Sequence, residues 1–267
     1  MTICIGMRAR DGLVMAADAQ ESDTYYKRSQ QKIFPWLGAV AAGEPPPPPQ
    51  MACLFTGAGD AGYIDAFIDE SMKGITHDMK DSVLEEHLRQ SILSFHERHL
   101  FPLATTQNRP EIEMVIGTYC QFQTRLYVSH GSTLRTALSH CAVGIGAHYA
   151  LGIMQDFFDV SSIRETELIA AYVIAATKES IDGCGKYTAI YSLHGPTIVE
   201  GTEGSPSRLA PARMPMTYVP GRTIDRWEKA FAEKWSPRQR HLMAELLEEE
   251  LKADSMPSGA QTLEGQP

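Results

Sequence analysis

The sequence predicts an α+β fold, a four-layer α-β-β-α sandwich with two sheets between two helical layers. Two observations favour this class. Segments with the apolar period of strands or of helices follow one another as strands, a helix pair, strands, a second helix pair and strands. This order suits two stacked sheets with a helical layer outside each. The chain of 267 residues is also long enough to bury a substantial core.

The first two strands are expected over residues 2–7 and 13–18. In the first, apolar residues alternate with small or polar ones, which is the period of a half-buried strand. An Asp-Gly turn joins the two strands. The second is apolar until it ends at Asp18, as is typical of a strand covered on both faces. Lys32 then opens the next apolar stretch.

The remaining elements are separated by turn and breaker residues. Five consecutive prolines within residues 43–50 exclude helix and central strand, and they predict a stiff polyproline loop. Ser162 and Glu165 form a capping box, which predicts that a long helix begins there. Other helices are predicted from apolar spacing at residues 63–75, 84–99 and 149–158, and other strands at residues 51–55, 113–120, 125–129, 141–144, 187–193 and 197–200.

The expected organisation is one large domain followed by shorter segments. The domain covers residues 2–200. Residues 201–221 are rich in Pro, Ser and Arg and predict a surface linker, residues 222–253 predict a helical extension, and residues 254–267 predict a disordered tail.

The extension is expected to hold two amphipathic helices. The first carries Trp227, Phe231 and Trp235, and the second carries an apolar stripe from Leu242 to Leu251. We expect this extension to pack at least partly across a subunit boundary, because the core helices offer it little free apolar surface. The alternative is an addition packed on its own domain.

Composition indicates an intracellular globular enzyme. A formal net charge of −9 argues against nucleic acid as a partner. The five cysteines are scattered, which predicts reduced core thiols, and the helical histidines (His87, His96, His99) lack an HExxH pattern. We therefore expect no metal and no cofactor. The sequence shows no secretory signal and no apolar run of membrane-spanning length, so a cytoplasmic protein without membrane contact is expected.

Thr2 is the strongest candidate for a catalytic residue. Only an initiator methionine precedes it, and removal of that methionine would leave a threonine anchored in a core strand. Its free α-amine, with an ordinary pKa of about 7.7–8.0, can serve as general base for its own hydroxyl. Such a nucleophile needs a buried cation, for which Lys32 is the candidate, and a buried lysine needs a carboxylate, for which Asp18 is the candidate.

These residues together resemble those of the proteasome β-subunit family of N-terminal-nucleophile (Ntn) hydrolases, in style nearest to the bacterial one-component homologues. The resemblance rests on Thr2, the Asp-Gly turn, the run Gly12–Asp18 and Lys32-Ile33. By topology it covers residues 2–200. It implies a threonine-type endopeptidase that cuts peptides or unfolded proteins inside a self-compartmentalising homo-oligomeric ring. It leaves an ATP-dependent unfoldase open as a further partner.

The resemblance also implies roles for single residues. The Oγ atom of Thr2 attacks the scissile carbonyl, Lys32 lowers the pKa of that hydroxyl, and Asp18 holds Lys32. The backbone N–H of Gly57 donates to the oxyanion. The acyl-enzyme is then hydrolysed by water.

Substrate-binding positions implied by the resemblance are Ser22, Phe55 and Gly59. Phe55 is expected near the floor of the pocket for the residue before the cut. The polyproline loop, residues 45–49, is expected at the rim of the cleft, where its stiffness would restrict access.

Three positions depart from the family pattern. Ile145 stands where an accessory serine belongs. In the turn after the long helix, Glu179 replaces an aspartate and Asp182 stands at a serine, so both are counted with the catalytic residues. A carboxylate at 182 would raise the pKa of the α-amine and weaken it as a base. Ser180 or Ser161 could supply the lost hydroxyl instead.

Alternative functions follow from these departures and from one further motif. A non-catalytic ring subunit and a non-proteolytic amide hydrolase both remain open. Residues 57–62 also match G-x-G-x-x-G after a strand and before a helix, which is typical of a dinucleotide site. The acidic residue that such a site needs should end a later strand, but residues 76–80 are a polar link between two predicted helices. Nucleotide binding is therefore the weakest of the alternatives.

Overall fold

The computed structural model describes residues 2–22, 27–37, 51–103, 110–157, 162–199, 208–210 and 215–234. Within these ranges the fold is mixed α+β, with two five-stranded sheets, two short hairpins and five α-helices. None of the helices in this part of the chain is long and apolar enough to cross a membrane. The helices are α1 (Ala61–Lys73), α2 (Asp81–Phe95), α3 (Ala147–Gln155), α4 (Ile163–Ser180) and α5 (Gly221–Lys234).

The strands pair antiparallel throughout. They are β1 (Ile3–Ala9), β2 (Gly12–Asp18), β3 (Gln20–Ser22), β4 (Lys27–Ser29), β5 (Ile33–Leu37), β6 (Met51–Gly59), β7 (Ile112–Cys120), β8 (Gln123–His130), β9 (Thr133–Thr136), β10 (His140–Gly144), β11 (Thr188–His194), β12 (Thr197–Val199), β13 (Arg208–Ala210) and β14 (Met216–Tyr218). The first sheet has the order β10-β1-β2-β11-β14, and the second has the order β5-β6-β7-β8-β9.

The register of the first sheet places the start of the chain beside the end of β2. Ile3 lies opposite Gly144 of β10, and Cys4 lies opposite Ala17 of β2. Thr2, one residue before β1, therefore lies next to Asp18, the last residue of β2.

The first strand is buried on both of its faces, so the expectation of a half-buried strand was wrong. Ile3 and Ile5 pack towards α3 and α4, whereas Cys4 packs towards the second sheet. The alternation in the sequence reflects the sizes of two buried neighbours rather than water on one side. A Cβ atom on Gly6 would lie 2.6 Å from Leu126 Cδ1, so the small residues let the second sheet approach closely.

The buried apolar side chains form three cores. One joins the two sheets, and includes Leu13 and Val115. A second lies between the first sheet and α3, α4 and α5, and a third lies between the second sheet and α1 and α2. Both sheets therefore contribute alternate residues to two different cores, as the period-2 pattern requires.

Helix α4 begins as the sequence predicted. The Ser162 side chain accepts from the backbone N–H of Glu165, and the Glu165 carboxylate accepts from the backbone N–H of Ser162 at 2.7 Å. The capping box is therefore confirmed.

The segment expected as a linker contributes strands. β14 pairs with β11 at the edge of the first sheet, and β13 pairs with β12. Helix α5 packs on α4, with Trp227 only 1% exposed and Phe231 5% exposed. These two side chains are thus covered within their own chain. The polyproline loop, Trp235, the Leu242–Leu251 stripe and residues 254–267 lie outside the described residues.

Candidate active site

Thr2, Asp18 and Lys32 come together at the end of the first sheet. The Thr2 hydroxyl donates to Asp18 Oδ1 at 2.6 Å, and the Lys32 ammonium donates both to Thr2 Oγ1 and to Asp18 Oδ1, the latter at 2.8 Å. Each group therefore contacts the other two. A hydroxyl held between a cation and a carboxylate is the arrangement that an activated oxygen nucleophile needs.

Asp18 is the centre of this group. Its side chain is fully buried, and in addition to Thr2 and Lys32 it accepts from the backbone N–H groups of Ile3 at 3.0 Å and Gly185 at 2.8 Å. Four donors on one buried carboxylate satisfy its acceptor capacity and fix its plane.

Lys32 lies immediately before β5 and reaches Thr2 and Asp18 from there. Its side chain is 12% exposed, and its ammonium also donates to the backbone carbonyl of Gln20. Three acceptors surround the charge on the protein side. The exposed remainder faces a cleft that Thr2 and Lys32 line together.

The rest of the cleft lining comes from β3, from the segment between β4 and β5, from β5 and β6 of the second sheet, and from α1. Gln20, Gln30 and Gln31 supply polar surface, and Phe34, Ala58 and Ile64 supply apolar surface. The lining thus offers both polar and apolar side chains, which suits a ligand that carries backbone amide groups and side chains.

Gly57 and Gly59 also line the cleft. A Cβ atom on Gly57 would lie 2.6 Å from Met114 Sδ and 2.9 Å from Glu113 O, so the close approach of β7 requires glycine there. The Gly57 carbonyl accepts from the Cys4 thiol at 3.3 Å. Burial raises the pKa of that thiol to about 11, so it stays neutral beside the cleft at physiological pH.

The other two predicted substrate contacts lie elsewhere or outside the described side chains. Phe55 is fully buried in the core under α1 and α2, whereas Phe34 lines the cleft. The backbone of Ser22 pairs with Lys27 in the β3–β4 hairpin. A substrate contact by Phe55 or Ser22 stays a prediction.

The G-x-G-x-x-G motif has a structural explanation. Strand β6 continues through Gly59, four residues beyond the predicted end, because β7 pairs with it along its whole length. Gly59 has φ +122°, and a Cβ atom there would lie 1.9 Å from Glu111 O. The carboxylate of Asp60 accepts from the N–H groups of Gly62 and Tyr63 and caps α1. These are the donors that would bind a phosphate, so a built-in anion already occupies them.

The turn that carries Ile145 in place of the family's accessory serine lies close to Thr2. Gly144 has φ +96°, and a Cβ atom there would lie 2.3 Å from Thr2 O. Ile145, which stands at the serine position, is 52% exposed. Glycine is required at 144, and the next side chain points largely to solvent.

The two carboxylates of the turn after α4, which also differs from the family pattern, lie at the surface. Both Glu179 and Asp182 are exposed, and Glu179 lines a second cleft formed with Tyr149, Tyr172 and Phe231. A role for either residue beside the α-amine stays a prediction. The residue of this turn that contacts the site is Gly185, which sequence reasoning missed.

The histidines have local partners in the helical layer. His87 Nε2 lies 3.0 Å from Ser71 O, His96 Nδ1 lies 2.9 Å from Ile92 O, and His99 Nε2 lies 3.3 Å from Glu70 Oε1. These contacts fit packing and surface roles.

Comparison with known proteins shows similarity of fold only. No family model matches the chain, and no curated protein matches it. Among solved structures, Anbu (ancestral beta-subunit) from Yersinia bercovieri has a TM-score of 0.64 at 13% identity, covering 87% of this chain and 94% of that chain. A helical assembly of the Anbu complex from Pseudomonas aeruginosa has a TM-score of 0.64 at 14% identity, covering 97% and 100%. Anbu from Hyphomicrobium sp. strain MC1 has a TM-score of 0.60 at 12% identity, covering 87% and 94%.

These findings correct the family expected from the sequence. The motifs were assigned to proteasome β-subunits, nearest to the bacterial one-component homologues, whereas the similar solved structures are Anbu proteins. The motifs that carried the assignment lie in the strands around Thr2. Because any chain with the same first strands and the same lysine would show them, they did not distinguish between proteins that share this fold.

Proposed function

We propose that this chain is a threonine-type peptidase that uses Thr2 as an N-terminal nucleophile once Met1 has been removed. One observation carries the proposal. The Thr2 hydroxyl contacts both the Lys32 ammonium and the buried Asp18 carboxylate at the wall of a cleft. Peptides or unfolded segments are the proposed substrates.

The chemistry needs only groups present at this site. The free α-amine of Thr2 takes the hydroxyl proton, and Oγ attacks the scissile carbonyl while Lys32 stabilises the developing negative charge. The backbone N–H of Gly57 is the proposed oxyanion donor. The C–N bond then breaks, the α-amine returns its proton to the leaving amine, and water hydrolyses the ester. Asp18 holds the ammonium and the hydroxyl in register throughout.

We also propose the finer architecture and the setting of the enzyme. Three apolar cores in succession support a four-layer α-β-β-α sandwich. Five free, buried cysteines favour a reducing compartment and hence the cytoplasm.

Assembly of several copies is proposed on the comparison with the Pseudomonas aeruginosa structure, which is a helical assembly. A heterologous interface gives a ring when its rotation closes and a helix when it does not. Sedimentation of the purified chain will show whether large species form.

Mass spectrometry tests the nucleophile. Intact mass should show a chain without Met1, and a β-lactone probe, which acylates a reactive hydroxyl, should add its mass once, on Thr2. The variant Thr2→Ala should take up no probe, while Thr133→Ala, at an exposed threonine of β9, should be labelled like wild type. Full retention of Met1 would refute the proposal, because a blocked amine cannot act as base.

The same protein preparation can be used to distinguish the alternative functions. A non-catalytic subunit would lose Met1 but take up no probe. A non-proteolytic amide hydrolase would be labelled and would turn over small amides but not peptides.

A further inference from the structure

A second group of lysine, threonine and carboxylate lies behind the candidate site. The Lys178 ammonium donates to Glu228 Oε1 at 2.6 Å and to Thr188 Oγ1 at 2.9 Å, and the Thr188 hydroxyl donates to the same Glu228 oxygen at 2.5 Å. The three residues belong to α4, β11 and α5. We refer to them as the rear triad.

The rear triad is joined to the segment that follows α4. Lys178 also donates to the backbone carbonyl of Lys186 at 3.1 Å, and its side chain is only 13% exposed. Thr188 lies opposite Asp18 in the pairing of β11 with β2. One ammonium therefore ties α5 to the backbone that passes directly behind the catalytic carboxylate.

That backbone contacts the catalytic carboxylate. The N–H of Gly185 donates to Asp18 Oδ2 at 2.8 Å. A Cβ atom on Gly185 would lie 2.4 Å from Gln20 Oε1, so the segment is pressed against the cleft wall. Lys186, the next residue, has φ +64°, which costs a non-glycine residue free energy. Such a conformation persists only where surrounding contacts hold it, and the bond from Lys178 is one of them.

We propose that Lys178 and Glu228 are positioning residues for the Thr2 nucleophile. Glu228 anchors the Lys178 ammonium, the ammonium holds the Lys186 carbonyl, and this keeps the Gly185 N–H on Asp18. Asp18 in turn orients Lys32 and Thr2. Helix α5 therefore contributes to reactivity although none of its residues lines the catalytic cleft. This inference rests on the proposed function of Thr2.

The charge arrangement explains why both Lys178 and Glu228 are needed. Without Lys178, Glu228 and the Lys186 carbonyl lose their common donor, and the strained turn loses a restraint. Without the Glu228 charge, the Lys178 ammonium keeps only neutral acceptors, the Lys186 carbonyl and the Thr188 hydroxyl. Because displacement of a reacting group by about 1 Å can lower a rate about 100-fold, a small shift of Asp18 is enough to be measured.

The test uses the full chain and four variants. Lys178→Met removes the ammonium but keeps the stem, and Glu228→Gln keeps the shape and one acceptor. Ile224→Val removes a buried methyl group of α5 one turn before Glu228 and leaves the three polar groups of the rear triad in place, and Lys229→Met changes an exposed side chain on the same helix. Each variant is measured for thermal stability, for β-lactone acylation at rising probe concentration, and for hydrogen exchange at the Gly185 amide.

The variants should affect the acylation of Thr2 by the probe but not the binding of the probe. Lys178→Met should lower the saturating acylation rate about 10- to 100-fold while the half-saturating probe concentration stays unchanged, since the cleft lining is untouched. Glu228→Gln should lower it less, and Gly185 exchange should speed up in both. Ile224→Val should lower thermal stability without either effect, and Lys229→Met should behave as wild type.

Two results would overturn the inference: a Lys178→Met acylation rate no lower than that of Ile224→Val, or unchanged Gly185 exchange in Lys178→Met. Failure of the proposed function looks different. In that case wild type itself takes up no probe on Thr2, and the role of Lys178 in holding the Gly185 contact is then decided by amide exchange alone.

Discussion

The buried pair of Asp18 and Lys32 allows a quantitative test of the site by a double-mutant cycle. In Asp18→Asn the amide has one oxygen, so its NH₂ group must face one of four donors that now contact the carboxylate. The Lys32 charge also loses its counter-ion. Breaking a buried pair from one side costs about 3–5 kcal/mol of unfolding free energy. The Gln20 carbonyl and partial exposure of Lys32 place this case near the lower end.

Removal of the lysine, in Lys32→Met, should cost less unfolding free energy than removal of the carboxylate charge. Lys32→Met leaves Asp18 charged but still hydrogen-bonded to the Thr2 hydroxyl and to two backbone N–H groups. We expect a loss of about 2 kcal/mol, within the range for a hydrogen bond to a buried charged group. The double variant Asp18→Asn/Lys32→Met contains no unpaired charge, so its loss should be about 2–3 kcal/mol rather than the sum of about 5.

Denaturant unfolding of wild type and the three variants measures the cycle. At this chain length a loss of 3 kcal/mol corresponds to a fall in Tm of about 6–12 °C, so thermal scans give an independent check. A double variant whose loss equals the sum of the single losses within about 0.5 kcal/mol would refute the reasoning. It would mean that Asp18 and Lys32 stabilise the fold independently and that their contact is incidental.

Three further predictions concern positions around the site and the core. Gly144→Ala should abolish β-lactone labelling of Thr2 while circular dichroism still shows a folded chain, because the new methyl group would lie 2.3 Å from Thr2 O at a φ of +96°; labelling at the wild-type rate would contradict this. Ser162→Ala should lower the unfolding free energy by about 1 kcal/mol through loss of the helix cap and leave labelling unchanged. Burial raises the pKa of Cys4 and of Cys184 to about 11 from 9.0, so the unfolded thiols ionise first. The contribution of the Cys4 thiol to stability should therefore be constant well below pH 9 and fall between pH 9 and 11 by about 1.4 kcal/mol per pH unit, and Cys4→Ala should reduce this slope in denaturant titrations.

Local patterns were sufficient to predict that Thr2, Asp18 and Lys32 lie together and to predict most long elements. Thr2, Asp18 and Lys32 could be placed together because each begins or ends an apolar run, and the capping box at Ser162 depends on residues three apart. Such signals are short in range, so one sequence is enough to read them.

The parts that could not be predicted depend on partners far along the chain. Gly185 looks like an ordinary turn glycine, and only the fold brings its N–H to a carboxylate 167 residues away. The short strands β9 and β14 carry little apolar periodicity of their own and form because β8 and β11 offer them unpaired edges. The extension of β6 through Gly59 has the same cause, since pairing with β7 overrides the turn propensity of its glycines.

The groups around Thr2 are widely separated in the sequence. This separation affects the order in which the amino terminus is synthesised, processed and buried. Thr2 becomes enclosed by Gly144 and, through Asp18, by Gly185. At about 5–20 residues per second, a ribosome needs roughly 10–40 s to make the stretch from the first strand to that glycine. Until then the amino terminus lacks its final neighbours and can be reached by the aminopeptidase that, under the proposed function, removes Met1. Maturation and burial of the same residue are therefore in kinetic competition, and the distant position of Gly185 in the sequence leaves time for processing to come first.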